Sequence, residues 1–106
     1  MSEEAGVVER YLPLGSIVVV NGNVKKLMIT ARGIVSGQGE GRKLFDYGAA
    51  LYPEGVLDDK MIFFNHKDIY RIVFEGYTDA DDDIMNDNIK KWVKSVKERE
   101  KNGNES

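Results

Sequence analysis

The chain has 106 residues, of which 42% are hydrophobic and 31% are charged, and its formal net charge is -3. These values are typical of one globular domain with a single core. The chain contains no cysteine, which excludes disulfides, zinc–thiolate sites and thiol nucleophiles. The acidic balance argues against a general nucleic-acid binder, because neutralising phosphates requires a basic surface.

Targeting and membrane signals are also missing from the sequence. Residues 1–6 lack the basic and apolar regions of a secretory signal. No apolar run approaches the roughly 20 residues that cross a bilayer. We therefore expect a cytoplasmic protein without a membrane partner.

The first two predicted strands form a hairpin. Ile17–Val20 is β-branched and apolar, and Asn21 and Gly22 follow it directly. An Asn-Gly pair between two apolar runs is a strong hairpin signal. We predict that Val24–Ala31 is the return strand. Residues 1–9, at the start of the chain, are predicted to be a disordered leader.

The next segment, residues 32–43, contains four glycines and reads as a flexible connection. Ile34 and Val35 could extend the second strand through a bulge at Gly33. The glycines do not suggest a phosphate-binding loop, because no Gly-Lys-Ser/Thr sequence and no helical pattern follow them.

The third and fourth strands are predicted at Leu44–Tyr52 and Met61–Phe64, separated by a turn that contains Pro53 and Gly55. A single helical turn over residues 65–68, capped by Asn65, should then lead into the fifth strand.

The fifth strand, Ile69–Tyr77, alternates between apolar and polar residues. This alternation predicts a half-buried strand with Tyr70, Ile72 and Phe74 on one face. We expect this strand to be the central partner of the other strands.

A C-terminal amphipathic helix follows. Thr78, Asp79 or Asp81 could cap its N-terminus. Its apolar stripe, at helical spacing, consists of Met85, Ile89, Trp92, Val93 and Val96. The final residues, 99–106, read as a disordered tail, which leaves residues 10–98 as one domain.

These elements predict an α+β fold. The sheet would have about five short strands, mainly antiparallel, with the helix across it. Two arrangements remain open: a small curled antiparallel sheet, or an SH3-like barrel.

Catalytic and metal sites are not indicated. Asp79, Asp81 and Asp83 have the spacing of calcium ligands, but Ile84 and Lys90 stand where that motif requires glycine and glutamate. His66 lies near Asp68 but has no nucleophile motif to serve, so a turn histidine with a local hydrogen bond is favoured. We expect no enzyme activity, no metal and no cofactor.

Contact with a protein partner is the preferred function. Trp92 is its main candidate residue, because tryptophan is enriched at binding hot spots. An exposed sheet edge is a further candidate surface. The candidate partner-binding residues are Trp92, Tyr47, Tyr52 and Val93.

Nucleic-acid binding is the alternative from a different class. The aromatic residues of the strands could be paired with a small basic patch, as in barrels that bind single strands. The residues of that patch would be Lys25, Lys26, Arg32, Arg42 and Lys43. The net acidity makes this alternative less favoured.

Three stretches together resemble one family. They are Tyr11–Val18, the segment from Leu44 to Gly55 with its Leu-Phe-Asp-Tyr and Leu-Tyr-Pro-Glu-Gly sequences, and Phe64–Tyr77. They resemble the domain-of-unknown-function family 4176, whose small proteins are encoded in Gram-positive bacteria near type VII secretion genes and LXG-type toxins. The resemblance covers roughly residues 10 to 80.

The resemblance implies a non-enzymatic accessory protein of toxin secretion, such as an adaptor, a chaperone-like partner or a targeting factor. The partner would be the secreted toxin or another accessory protein. An immunity protein for a neighbouring toxin is a variant of the same binding role. The shared residues look architectural, so no catalytic residue is implied.

Overall fold

The computed structural model describes residues 8–37 and 42–105, with side chains through residue 99. The predicted leader, residues 1–9, lies outside this part except for its last two residues. Most side chains of the predicted tail, residues 99–106, also lie outside it. The two predicted domain boundaries therefore stay predictions.

The fold is α+β, with one antiparallel sheet and one C-terminal helix, as predicted. The strand order across the sheet is β4-β3-β2-β1-β5. A one-turn 3-10 helix, His66–Asp68, precedes β5, and the long helix α1 follows it. The bounds are β1 Ile17–Val20, β2 Lys26–Ser36, β3 Lys43–Tyr52, β4 Ile62–Phe64, β5 Ile69–Phe74 and α1 Ala80–Glu105.

The sheet is curled but open, so the barrel alternative is not the one observed. β4 and β5 lie at opposite edges, yet only residues 65–68 separate them in the chain. In a flat sheet, five strands would place these edges roughly 19 Å apart. Five residue steps span at most roughly 17 Å when extended, and less when they include a 3-10 turn. The short connection therefore requires the sheet to curl.

The predicted β1–β2 hairpin is confirmed. Ile17 pairs with Met28 and Val18 with Leu27. The turn closes with a hydrogen bond of 3.2 Å from Asn23 N–H to the Val20 carbonyl. Gly22 supplies the positive φ, +77°, that this tight turn needs.

β2 is longer than the predicted strand, and its irregularity lies elsewhere than predicted. The register with β3 shifts between Ile29 and Ala31, so Thr30 is the extra residue of a bulge. The prediction that the bulge lies at Gly33 was therefore wrong. Gly33 serves a different purpose. A Cβ atom there would lie 3.0 Å from Cγ2 of Ile89, so the glycine allows α1 to approach the sheet closely.

β5 differs most from its prediction. It is an edge strand that, among the strands of residues 8–37 and 42–105, pairs only with β1, and two register shifts interrupt the pairing. Ile72 lies opposite Val18, whereas Phe74 lies opposite Ile17. Because adjacent residues of β1 point to opposite faces, Ile72 and Phe74 do not share one face, and the predicted single face was wrong.

The core lies between the sheet and α1. Val18, Leu27 and Ile29 contribute from β1 and β2, and all three are almost fully buried. Ile89 and Val93 contribute from α1. Of the predicted helix stripe, Ile89, Val93 and Val96 are buried, while Met85 and Trp92 remain partly exposed.

Asp79 caps α1, and it was one of the three predicted candidates. Its carboxylate accepts a hydrogen bond of 3.1 Å from the Asp82 N–H. Although α1 is long, the described helices include none that is both long and apolar enough to cross a bilayer.

Candidate functional site

The four predicted partner-binding residues do not form one surface. Tyr47 is 0% exposed and Val93 is also buried. Tyr52 and Trp92 are 41% and 39% exposed. The positions of Tyr47 and Val93 do not fit the predicted contact with a partner, because a buried side chain cannot touch a partner in this conformation. Binding through Tyr52 or Trp92 stays a prediction.

Trp92 combines packing with exposure. Its ring lies over β2, since a Cβ atom at Gly33 would meet Cζ3 of Trp92 at 3.5 Å. Met85, also exposed, precedes it by seven residues and so lies on the same side of the helix, roughly 10 Å away along the axis. Both residues border the buried stripe of α1.

Among the strands, β5 has the most exposed apolar side chains. We call it the β5 edge and define it by Tyr70, Ile72, Val73 and Phe74. Tyr70 is 73% exposed, Ile72 48% and Phe74 58%. No strand within residues 8–37 or 42–105 pairs with its outer side. An edge strand presents unpaired backbone N–H and C=O groups, which can pair with another chain.

A segment without regular secondary structure, residues 8–13, contacts both the sheet and α1. We call it the N-terminal strap. Tyr11 and Leu12 are buried there. The Tyr11 N–H donates to Oδ1 of Asn86 at 3.1 Å, and the Leu12 N–H donates to the Tyr47 hydroxyl oxygen at 2.9 Å. Side chains from α1 and β3 thus hold the main chain of the strap.

Tyr47 connects the strap to the 3-10 turn. Its hydroxyl lies 2.6 Å from Nδ1 of His66. The His66 N–H donates to Oδ2 of Asp46 at 2.8 Å, and the Asp46 N–H donates to Oδ1 of Asn65 at 3.0 Å. The histidine was expected to bond locally, but both partners lie about twenty residues earlier in the chain.

Burial affects the two tyrosines that meet at this point. The rings of Tyr11 and Tyr47 form an edge-to-face pair with centroids 5.9 Å apart. Burial raises the pKa of Tyr11 to about 12, and the Asp46 charge adds to this effect. Burial also raises the pKa of Tyr47 far above its usual value. Both hydroxyls therefore keep their protons at neutral pH.

A buried ion pair attaches α1 to the sheet. Nη1 of Arg32 lies 2.8 Å from Oδ1 of Asp82, and the side chains are only 5% and 11% exposed. Arg10 of the strap also contacts Asp82, at 3.1 Å, and Asp83 at 2.8 Å. The acidic run at the start of α1 thus contributes a cap, from Asp79, and ion pairs, from Asp82 and Asp83.

The predicted basic patch is not assembled. Arg32 is buried in its ion pair, and Lys25 contacts Glu54 at 2.7 Å. This contact lowers the pKa of the Glu54 carboxyl. Lys26 and Lys43 begin β2 and β3, which are antiparallel, so they lie at opposite ends of the pair, roughly 30 Å apart.

Metal binding receives no structural support. Within the described part of the chain, no group of three or more histidine, aspartate or glutamate side chains could hold a metal ion.

Sequence comparison identifies the family. The family model described as "Domain of unknown function (DUF4176)" matches residues 11–85, which include all five strands and the start of α1. Neither the curated proteins nor the solved structures include a significant match to the chain. Because the family match spans more than half of the chain, the protein belongs to the DUF4176 family.

Proposed function

We propose that the protein is a non-enzymatic binding module, acting as an adaptor or chaperone-like partner of another protein. The observation that supports this most is the β5 edge. Three of its residues, Tyr70, Ile72 and Phe74, are about half exposed or more, although each is large and apolar. Ile72 and Phe74 lie on opposite faces of β5, so these side chains flank the unpaired edge from both faces. Exposed apolar side chains that lie close together are typical of interaction surfaces.

The contact would combine two types of interaction. The free backbone groups of β5 can pair with an extended segment of the partner, as in strand addition. The two register shifts bend β5, and bulges of this kind limit regular pairing along an edge. We therefore propose that a short ladder fixes the orientation and that the aromatic side chains supply most of the affinity.

The proposed partner is an LXG-type toxin or an accessory protein of type VII secretion, met in the cytoplasm. The similarity to proteins encoded beside such genes supports this choice. Tyr52 and Trp92 are two further candidate contacts, separate from each other, since both side chains are exposed and aromatic. Trp92 and Met85 would then meet a partner helix along one side of α1.

The test is co-purification of the tagged protein with the toxin and the small proteins encoded beside it. We expect a stoichiometric complex that Phe74→Ser and Tyr70→Ser weaken at least tenfold, as loss of a hot spot does. Val24→Ser is the matched control, because Val24 is also an exposed apolar residue but belongs to the β1–β2 turn and not to the β5 edge. Recovery of the wild-type protein alone would refute the proposal.

Two further results would change the proposed contact surface or the proposed role. Loss of the complex in Trp92→Ala and Tyr52→Ala, but not in the β5 variants, would move the contact to those residues. Survival of cells that co-express an otherwise lethal neighbouring toxin would identify the partner-binding role as immunity.

A further inference from the structure

The buried junction of the strap, β3 and the 3-10 turn has a restricted hydrogen-bond arrangement. The Tyr47 hydroxyl is in contact with the Leu12 N–H at 2.9 Å and with Nδ1 of His66 at 2.6 Å. A backbone N–H can only donate, so the tyrosine oxygen accepts from Leu12. The tyrosine proton is then donated to His66, which requires Nδ1 to be unprotonated.

The protonated form of His66 does not fit this arrangement. An imidazolium donates from both ring nitrogens. Tyr47 would then face two donors and would also have its own proton to place, in a position that is 0% exposed to solvent. At least one buried donor would lack an acceptor, which is unfavourable.

Charged groups from two elements lie around His66. The Asp46 carboxylate accepts the His66 backbone N–H and supplies a negative charge from β3. Asp68 and Lys67 belong to its own turn, and Tyr11 lies on the other side of Tyr47. His66 as a residue is partly exposed. Histidine ordinarily changes charge between about pH 5 and about pH 8.

We propose that Tyr47 and His66 form a pH-sensitive latch on the N-terminal strap. At neutral pH, the neutral imidazole holds the Tyr47 hydroxyl, and this hydroxyl holds Leu12. Below that range, the imidazolium displaces the Leu12 N–H from Tyr47, and the strap loosens. Loosening exposes Tyr11, Leu12 and the groove between Asn86 and Tyr47. This inference does not depend on the proposed partner binding.

The test is NMR of the full chain, whose only histidine gives one set of ring signals. The protection factor of the Leu12 amide would be measured from about pH 7.5 to about pH 5, while the ring signals report protonation. We expect Leu12 protection to fall by about tenfold as the ring is protonated, as for one lost hydrogen bond. The Ile29 amide, bonded to the Ser16 carbonyl at 2.9 Å, should not change.

Two variants separate the latch from general acid destabilisation. In His66→Gln, the side chain is neutral at every pH and its oxygen can accept from Tyr47, so Leu12 protection should no longer depend on pH. In Tyr47→Phe, Leu12 should be unprotected throughout. If Tyr47→Phe does not fold, the result for His66→Gln alone tests the latch.

Three results would overturn the proposal. The first is constant Leu12 protection while the ring is protonated. The second is an equal fall in His66→Gln. The third is a ring that stays neutral down to about pH 5.

Discussion

β1 and β5 are paired strands of similar apolar sequence with opposite surroundings. β1, Ile17–Val20, has β2 and β5 on its two sides, and Val18 is fully buried. β5, Ile69–Phe74, has only β1, and Ile72, which lies opposite Val18, remains 48% exposed. The comparison shows that an apolar strand sequence indicates a strand, while position in the sheet decides its burial.

The strongest test of this comparison is a charge placed in each strand. Val18→Asp should unfold the domain, because an unpaired buried carboxylate costs more than about 4 kcal/mol. Ile72→Asp should cost less than about 1 kcal/mol, since its side chain can reach water. Urea unfolding followed by circular dichroism measures both. An equal loss in the two variants would show that β5 belongs to the core.

A second pair of variants compares a buried tyrosine with an exposed one. Tyr47→Phe leaves the buried Leu12 N–H without its acceptor and should cost about 1–3 kcal/mol. Tyr70→Phe should change the free energy of unfolding by less than about 0.5 kcal/mol, because its side chain is largely in solvent. The comparison would fail if Tyr70→Phe were the more destabilising change in urea unfolding.

Alkaline pH should produce a smaller, graded loss of stability. The pKa of Tyr11 is raised by burial to about 12, while an unfolded tyrosine has a pKa near 10. Between these two pKa values, Tyr11 therefore keeps its hydroxyl proton in the folded state and has lost it in the unfolded state. The contribution of the protonated Tyr11 hydroxyl to the free energy of unfolding is complete below about pH 10 and disappears as pH rises towards about 12.

Tyr11→Phe provides the control for this pH dependence. The variant should lose less stability than the wild-type protein between about pH 10 and about pH 11. Urea unfolding at each pH gives the free energies, and ultraviolet absorbance follows tyrosinate formation. Identical slopes in the two proteins would mean that the Tyr11 hydroxyl is not shielded from solvent.

Local signals predicted the elements well. Asn21 and Gly22 identified the first hairpin, Asn65 the 3-10 turn, and Asp79 was among the expected caps of α1. In each case the deciding interactions lie within a few residues of one another. The spacing of Ile89, Val93 and Val96 likewise indicated the buried side of the helix.

The contacts that predictions missed join distant parts of the chain. Arg32 was assigned to a basic patch, but its partner Asp82 lies fifty residues later. Tyr47 was taken as a surface residue because nothing near it in sequence indicates Leu12 or His66 as partners. The edge position of β5 depends on strand order, which a single alternating pattern does not contain.

The pairing of β1 with β5 also has a consequence for the order of folding. Val20 lies opposite Ile69, roughly fifty residues later, whereas β1–β2 and β3–β4 join neighbouring segments. Closing the longer loop costs chain entropy before any of its contacts form, so we expect β5 to join a preformed β1–β4 meander late. For the same reason, β5 should be the first strand to detach in native-state fluctuations. Its detachment would repeatedly expose the backbone edge of β1 that pairs with β5.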